Sequence, residues 1–377
     1  MDTRRRLLAR LYRAALTGAD PGAGVRRALE EDRVAAGLDG AREVGVFAVG
    51  KGAGAMIEAA AGRYARGLAI LPRGHPAPRA RGVAVLAAAH PEPDRSSVEA
   101  AKAALRFFRS FGEDDAILCL VSGGASSLLA LPRPGITLEA KRRAVEKLIA
   151  SGASINEVNR LRTRLSAVKG GALGRATAAR LVTLVLSDVP GDRPEVVGSG
   201  PTIRKNRGDH VRVVGTNRLG LVAAAQEARH AGLAPRFRRR RLEGEASLAG
   251  EALGRAAARL SAGQVILAGG ETTVRRESRS GRGGRSLETA LGAARAIRGL
   301  SGIVLLAAGS DGRDGSSRAA GAFADGRTLA RAERLGLDPA RAARRHDTDP
   351  FFAAIGDLFV TGPTGGNVAD WVFALRL

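Results

Sequence analysis

Five times along the chain an apolar run of strand length stops in a loop of glycine and small polar residues. VGVFAVG precedes Lys51-Gly-Ala-Gly, AILCLV precedes Ser122-Gly-Gly-Ala-Ser-Ser, and LVTLVL precedes Ser187-Asp-Val-Pro-Gly-Asp. QVILA precedes Gly-Gly-Glu271-Thr-Thr, and GIVLLAA precedes Gly-Ser-Asp311-Gly. In an open parallel sheet such loops collect at the carboxyl edge of the strands, where ligands bind, and bare glycine lets backbone N–H groups close on an anion. The pattern therefore points to an α/β chain with an edge suited to phosphate.

The spacing of the other segments agrees. Residues 4 to 34 have helical periodicity broken at Asp20-Pro21, and helix-like stretches from Ala53, from Ser96 to Phe108 and from Thr137 to Ser151 alternate with the apolar runs. LAILP and VAVLAA add two further strands, and a long polar segment covers 154 to 180. Such alternation predicts a parallel sheet with helices on both faces. The 377 residues are more than one core usually holds, so two domains are expected. The stretch from 204 to 250, rich in arginine and poor in apolar strands, marks the junction, which we place between 235 and 236. The second half repeats the pattern, with strands at QVILA, GIVLLAA and DLFVTG and helices at 286–299 and 318–334.

The net charge of +23 raises the question of nucleic acid. Arginine is spread over the whole chain and aromatic residues make up 3%, so the stacking and base-reading modules of nucleic-acid proteins are missing and no specific nucleic-acid partner is expected. The single cysteine, Cys119, lies inside an apolar run and reads as a buried thiol of a reducing, cytosolic compartment. No targeting or membrane segment is evident, and a monomer or homodimer is expected. Lysine occurs only at 51, 102, 141, 147, 169 and 205, and Lys51 and Lys169 stand against glycines, where a compact ammonium can approach a phosphate oxygen.

Two familiar nucleotide signatures fail at Gly50-Lys51-Gly52-Ala53-Gly54. The glycine spacing is not G-x-G-x-x-G and no acid stands between Leu68 and His75, while a Walker A loop needs Ser or Thr after its lysine. Ser122, Gly123, Gly124 and Ser126 lie between a strand and a helix, where amides and hydroxyls either bind an oxyanion or cap the helix. No nucleophile elbow surrounds these serines. Asp188 and Asp192, followed by Ser199-Gly-Pro-Thr202, suit a divalent cation or a proton acceptor, and equally suit turns. The same two readings apply to Asp311 and Asp314, whose spacing lacks the remaining acids of a calcium loop.

Taken together the motifs resemble the glycerate 2-kinase family with a C-terminal MOFRL domain, a group that also carries the label hydroxypyruvate reductase. The segments that carry the resemblance are VGKGAGAM, HPEPD, VSGGASSLL, INEVNRLRTRLSAVKGGALG, LSDVPGD, GSGPT, GGETTV, GRGGRSLE, GSDGRDG, AAGA and VTGPTGGNVAD, in the family's order from about residue 5 to the end. The resemblance implies a Rossmann-like N-terminal domain over 1–235, a smaller α/β MOFRL domain over 236–377 and a cleft between them. It also implies transfer of the ATP γ-phosphoryl group to the 2-hydroxyl of D-glycerate, with Mg²⁺.

On that resemblance Lys51 and Arg285 would hold the two anions, and Asp188 or Asp192 would accept the hydroxyl proton or bind Mg²⁺. Ser122, Gly123, Gly124 and Ser126 would cradle phosphate; Asn156, Asn159, Arg162, Lys169 and Thr202 would line the cleft; and Glu271, Asp311 and Asp314 would come from the second domain. The chain departs from the family at Arg164 (family His), at Ser286 and Leu287 (family Asn-Gln), and at Gly366 and Ala369 (family Thr and Asn). These changes bear on which 2-hydroxy acid is accepted more than on kinase chemistry. Two other classes follow from the same residues: an NAD(P)H-dependent hydroxypyruvate reductase, and a non-catalytic anion-binding homologue.

Overall fold

The computed structural model describes residues 2–151, 155–204, 206, 208–274 and 281–377. The chain divides into two compact units: Asp20–Thr216 with Gly365–Asn367, and residues up to Ala19 with Asn217–Thr364 and Val368–Leu377. The first carries six strands, β1 (Val44–Val49), β2 (Arg66–Pro72), β3 (Val83–Ala88), β4 (Ala116–Val121), β5 (Arg180–Leu186) and β6 (His210–Gly215). They pair in the order β3-β2-β1-β4-β5-β6, every neighbour parallel. That is the doubly wound order, in which the chain reverses direction across the sheet between β1 and β4.

Burial explains why these strands read so clearly in the sequence. Every residue of β4 is buried, as expected of a central strand covered on both faces. On one face the helix Arg95–Arg109 lays Ala100, Ala101, Ala104 and Phe108 against Phe47, Val49, Ile70 and Ile117. Asp94 and Ser97 cap its start reciprocally, and the Phe47 and Phe108 rings meet edge to face at 5.1 Å. Cys119 is buried here, and burial pushes its thiol up.

The second unit holds β7 (Ala234–Phe237), β8 (Gln264–Gly270), β9 (Ile303–Gly309), β10 (Gly321–Asp325), β11 (Leu358–Phe359) and β12 (Asp370–Arg376), in the order β11-β10-β9-β12-β8-β7. Only β7 and β8 are parallel; β12 runs antiparallel between β8 and β9. Because residues two apart share a sheet face, Ile266, Ala268, Val372 and Ala374 turn together toward the helices Ala246–Ala257 and Arg285–Ala296. Trp371 is out of step with them and meets Tyr12 of the first helix, Thr3–Gly18, at 5.8 Å between ring centroids. The Tyr12 hydroxyl donates to the Gly309 carbonyl at 2.7 Å.

Several expectations change. The compact units do not follow a single cut at 235: the first helix and residues 217–235 pack in the unit that holds the C-terminal sheet. The second half does not repeat the parallel pattern, since its sheet is mostly antiparallel. The stretch expected to be helical over 318–334 contains strand β10 before the helix Thr328–Arg334. The arginine-rich stretch contains β6, the helix Asn217–His230, β7 and the helix Ala246–Ala257, and part of the polar segment after 154 is the helix Ile155–Arg164. β6 and β7 are edge strands with largely exposed or half-exposed residues, which is why arginine can interrupt their apolar pattern. Among the described residues no helix is long and apolar enough to cross a membrane.

Candidate active site

The reversal between β1 and β4 brings two glycine loops together, and the backbone ties them. The Ser122 amide donates to the Val49 carbonyl at 3.0 Å, the Lys51 amide to the Gly123 carbonyl at 2.9 Å, and the Gly52 amide to the Ser122 hydroxyl at 3.0 Å. The approach is so close that a Cβ on Gly50, where φ is +119°, would lie 2.2 Å from Ser122 Oγ and 2.6 Å from its carbonyl oxygen. Among the described residues the amides of Gly123 and Gly124 donate to no acceptor. Three side chains stand against these amides. A Cβ on Gly123 would meet Asp188 Oδ2 at 1.9 Å, and one on Gly124 would lie 3.2 Å from His90 Nε2 and 3.5 Å from Lys51 Cγ. Asn367 donates from Nδ2 to Asp188 Oδ2 at 3.4 Å. The loop thus gathers two acceptor-less amides, the stem of Lys51 and the Asp188 carboxylate.

Asp192, just beyond, has φ of +52° and accepts a hydrogen bond from Ser187 at 2.8 Å, so this carboxylate also shapes its own turn. Thr202 is buried and accepts from Thr183 of β5 at 3.2 Å, a packing contact. Ser126, two residues after Gly124, meets Lys169: Nζ donates to the Ser126 carbonyl at 2.8 Å and to its hydroxyl. Burial, then the neighbouring Lys141 and Arg162, pull Lys169 down to about 7, and burial followed by Arg162 pulls Lys141 to about 8. Asn159 and Arg162 lie on the helix Ile155–Arg164, whereas the Asn156 side chain lies outside the described residues. No group of three or more His, Cys, Asp or Glu side chains among the described residues is placed to hold a metal ion.

In the other unit Arg285 opens the helix Arg285–Ala296 and is gripped by two carboxylates: Nη1 bonds Glu271, and Nε and Nη2 lie 3.3 Å from the Asp370 oxygens. Burial works against its charge, but Asp370 and Glu271 outweigh it and push the guanidinium further up. Asp314 accepts from the Ser286 and Leu287 amides at 3.1 and 2.8 Å, sitting on the helix N-terminus. Asp311 accepts from the Arg313 amide at 3.2 Å and adds its field to Asp370. Burial raises Asp370 to about 6, with Arg285 opposing and Glu271 and Asp311 adding. Burial and then Asp370 raise Asp314 to about 7.

A carboxyl whose pKa is raised by folding stabilises the fold below its unfolded value near 4 and loses that contribution as pH climbs through its folded value. Asp314→Asn is therefore expected to flatten the pH dependence. Between pH 7.5 and 4.5 the wild-type protein should gain on the order of 3 kcal/mol relative to the variant. Urea unfolding at the two pH values checks this, and parallel curves for both proteins would show that Asp314 ionises normally.

A family model described as a domain of unknown function, DUF4147, matches residues 7–229, and the model of the MOFRL family matches residues 264–370. The chain is 32% identical to a D-glycerate 2-kinase of Thermotoga maritima across 93% of its own length and 94% of that protein's. The chain belongs to the glycerate 2-kinase family. The crystal structure of a glycerate kinase from Thermotoga maritima superposes with a TM-score of 0.86 at 30% identity, covering 100% of both chains. A protein of Agrobacterium vitis provisionally named a hydroxypyruvate reductase is 38% identical over 97% of this chain and 93% of its own.

Membership in the glycerate 2-kinase family frames what the sequence reading found and missed. Lys51, Ser122, Gly123, Gly124 and Asp188 come together at one loop pair; Ser126, Arg162 and Lys169 form a second group in the same unit; and Arg285, Glu271, Asp311 and Asp314 form a third in the other. His90, Asn367, Asp370 and Lys141 were not singled out. The first three stand inside HPEPD and VTGPTGGNVAD, so the motifs held the signal, whereas Lys141 stands in no motif. At Ala369, where the family has asparagine, φ is +68°, a conformation asparagine adopts more readily than alanine. The Ser286 hydroxyl, at another family departure, is buried and finds no partner among the described residues.

Proposed function

We propose that the protein is a kinase that transfers the γ-phosphoryl group of ATP to the 2-hydroxyl of D-glycerate, or of a closely related 2-hydroxy acid. The observation that carries this reading is the pair of acceptor-less amides at Gly123 and Gly124, set between Lys51 and Asp188 at the sheet's reversal point. The migrating phosphoryl group spreads negative charge over three oxygens, and donors already fixed in place stabilise it without reorganising. The two amides and the Lys51 ammonium are such donors. Asp188, steadied by Asn367, accepts the hydroxyl proton as the new O–P bond forms.

Mg²⁺ commonly binds through one or two carboxylates together with substrate phosphates, and a site of two aspartates fits that habit better than a cage of three. Asp188 and Asp192 would hold it, and when bound it neutralises phosphate charge. Arg285 is proposed as the anion-holding cation of its own unit. The buried thiol of Cys119 suits a reducing compartment, and we place the reaction in the cytosol.

A hydroxypyruvate reductase is the second reading, favoured by the name of the Agrobacterium vitis relative. Against it, β2 runs into Arg73, Gly74 and His75, with none of the acid that holds a nicotinamide nucleotide's ribose. A coupled ADP-release assay over a panel of short hydroxy acids, with phosphorus NMR of the product, tests the kinase reading. ADP formed only with glycerate-like acceptors is the expected result. NADH oxidation on adding hydroxypyruvate, with no ADP release, would replace it by the reductase.

A further inference from the structure

Beyond the glycine loops, one feature of the parallel-sheet unit is unbalanced in charge. Lys141 and Lys169 are only 7% and 5% exposed, and Arg162 is half-buried and near enough for its charge to act on both. Among the described residues the Lys141 ammonium has no hydrogen-bond partner, and Lys169 donates to the neutral carbonyl and hydroxyl of Ser126. Among the described residues no carboxylate forms an ion pair with any of the three, although the protein pairs most of its other inward cations, such as Arg204 with Asp209. Burying a charge is costly unless it is paired, and three like charges add repulsion to desolvation. Buried cations gathered in this way suit an anionic ligand.

We propose that Lys141, Lys169 and Arg162 form a binding subsite for a phosphoryl dianion. Position supports this. Lys169 is tied to Ser126, two residues beyond the Gly124 amide, so the cations continue the loop that presents Lys51, Gly123 and Gly124. Arg162 is the least buried of the three, and its planar fork matches two phosphate oxygens while the lysines act as point charges. An arriving dianion also restores the protonated form that burial disfavours at both lysines. The carrier is either the phosphate chain of the nucleotide or the phosphate of the product. Only that choice rests on the kinase reading; the subsite itself does not.

The test is titration calorimetry on the full chain with inorganic pyrophosphate, ATP, 2-phosphoglycerate and, as an uncharged control, adenosine. Lys141→Met and Arg162→Gln are compared with the wild type; the second is half-buried and safe for folding. Each variant is expected to weaken at least one phosphate ligand about 10-fold or more, the loss typical of a charge-assisted hydrogen bond, with adenosine unchanged. Weakening of pyrophosphate and ATP identifies the nucleotide as carrier, and weakening of 2-phosphoglycerate alone identifies the product. Equal affinities of wild type and a folded Arg162→Gln for all three phosphate ligands would overturn the subsite. Absence of glycerate turnover together with cation-dependent pyrophosphate binding would sink the kinase reading and leave the subsite standing.

Discussion

Alanine at position 51 is expected to lower kcat for glycerate phosphorylation by about 10²–10³-fold, the usual cost of removing one fixed donor to developing charge. The stability of the fold should stay within about 1 kcal/mol of wild type, because Lys51 is half-buried and its backbone amide, which the substitution keeps, ties the two loops. Arginine at the same position should not restore the rate. Its planar group is longer and bulkier than an ammonium, and the space above Gly124 is shared with His90. Steady-state kinetics beside urea unfolding separates the two effects. A folded Lys51→Ala enzyme turning over at the wild-type rate would remove Lys51 from the chemistry.

The largest structural effect is expected from Gly50→Ala. At φ of +119° an L-residue is strained, and the added methyl carbon would sit 2.2 Å from the Ser122 hydroxyl, 2.6 Å from its carbonyl and 2.8 Å from the Gly123 carbonyl. Two of those obstacles are backbone, so the relief must come from pulling the loops apart. Backbone strain and overpacking each cost about 1–3 kcal/mol, and together we expect a loss of about 3 kcal/mol or more. Turnover should fall with it, because the same separation displaces the Gly123 and Gly124 amides. Gly54→Ala is the control: it lies in the helix Ala53–Ala59 with nothing within 4 Å of the new carbon, and should be neutral or slightly stabilising. Equal urea midpoints for both variants would show that the loops are not in contact as described.

Both predictions concern residues that stand out in the sequence, and the reason is local. Glycines next to a strand end announce a backbone that must approach something, and the short run after β1 holds one lysine in a chain with few. The partner of that approach was not legible. Ser122 meets Gly50 because β1 and β4 are neighbours, a fact of strand order. Asp188 and Asn367, distant in sequence from each other, reach one another only after folding, and Lys141 becomes notable only when burial takes away its solvent.

The fold divides along the same line. β1, β2, β4, β5, β8 and β9 could be read from the chain because strands covered on both faces are continuous apolar runs bounded by turns. β12 escaped notice although six of its seven residues are buried, since nothing in DWVFALR says that it will slide antiparallel between β8 and β9. The sequence by itself determined the apolar strands, the glycine-rich loops behind them and the family, all properties of short contiguous segments whose chemistry is set by the residues within them. Tertiary structure alone decided strand order, the placing of the first helix with the second sheet and the partners of each charged group. These depend on contacts between residues far apart in the chain, where the balance of burial and pairing is struck only once the segments meet.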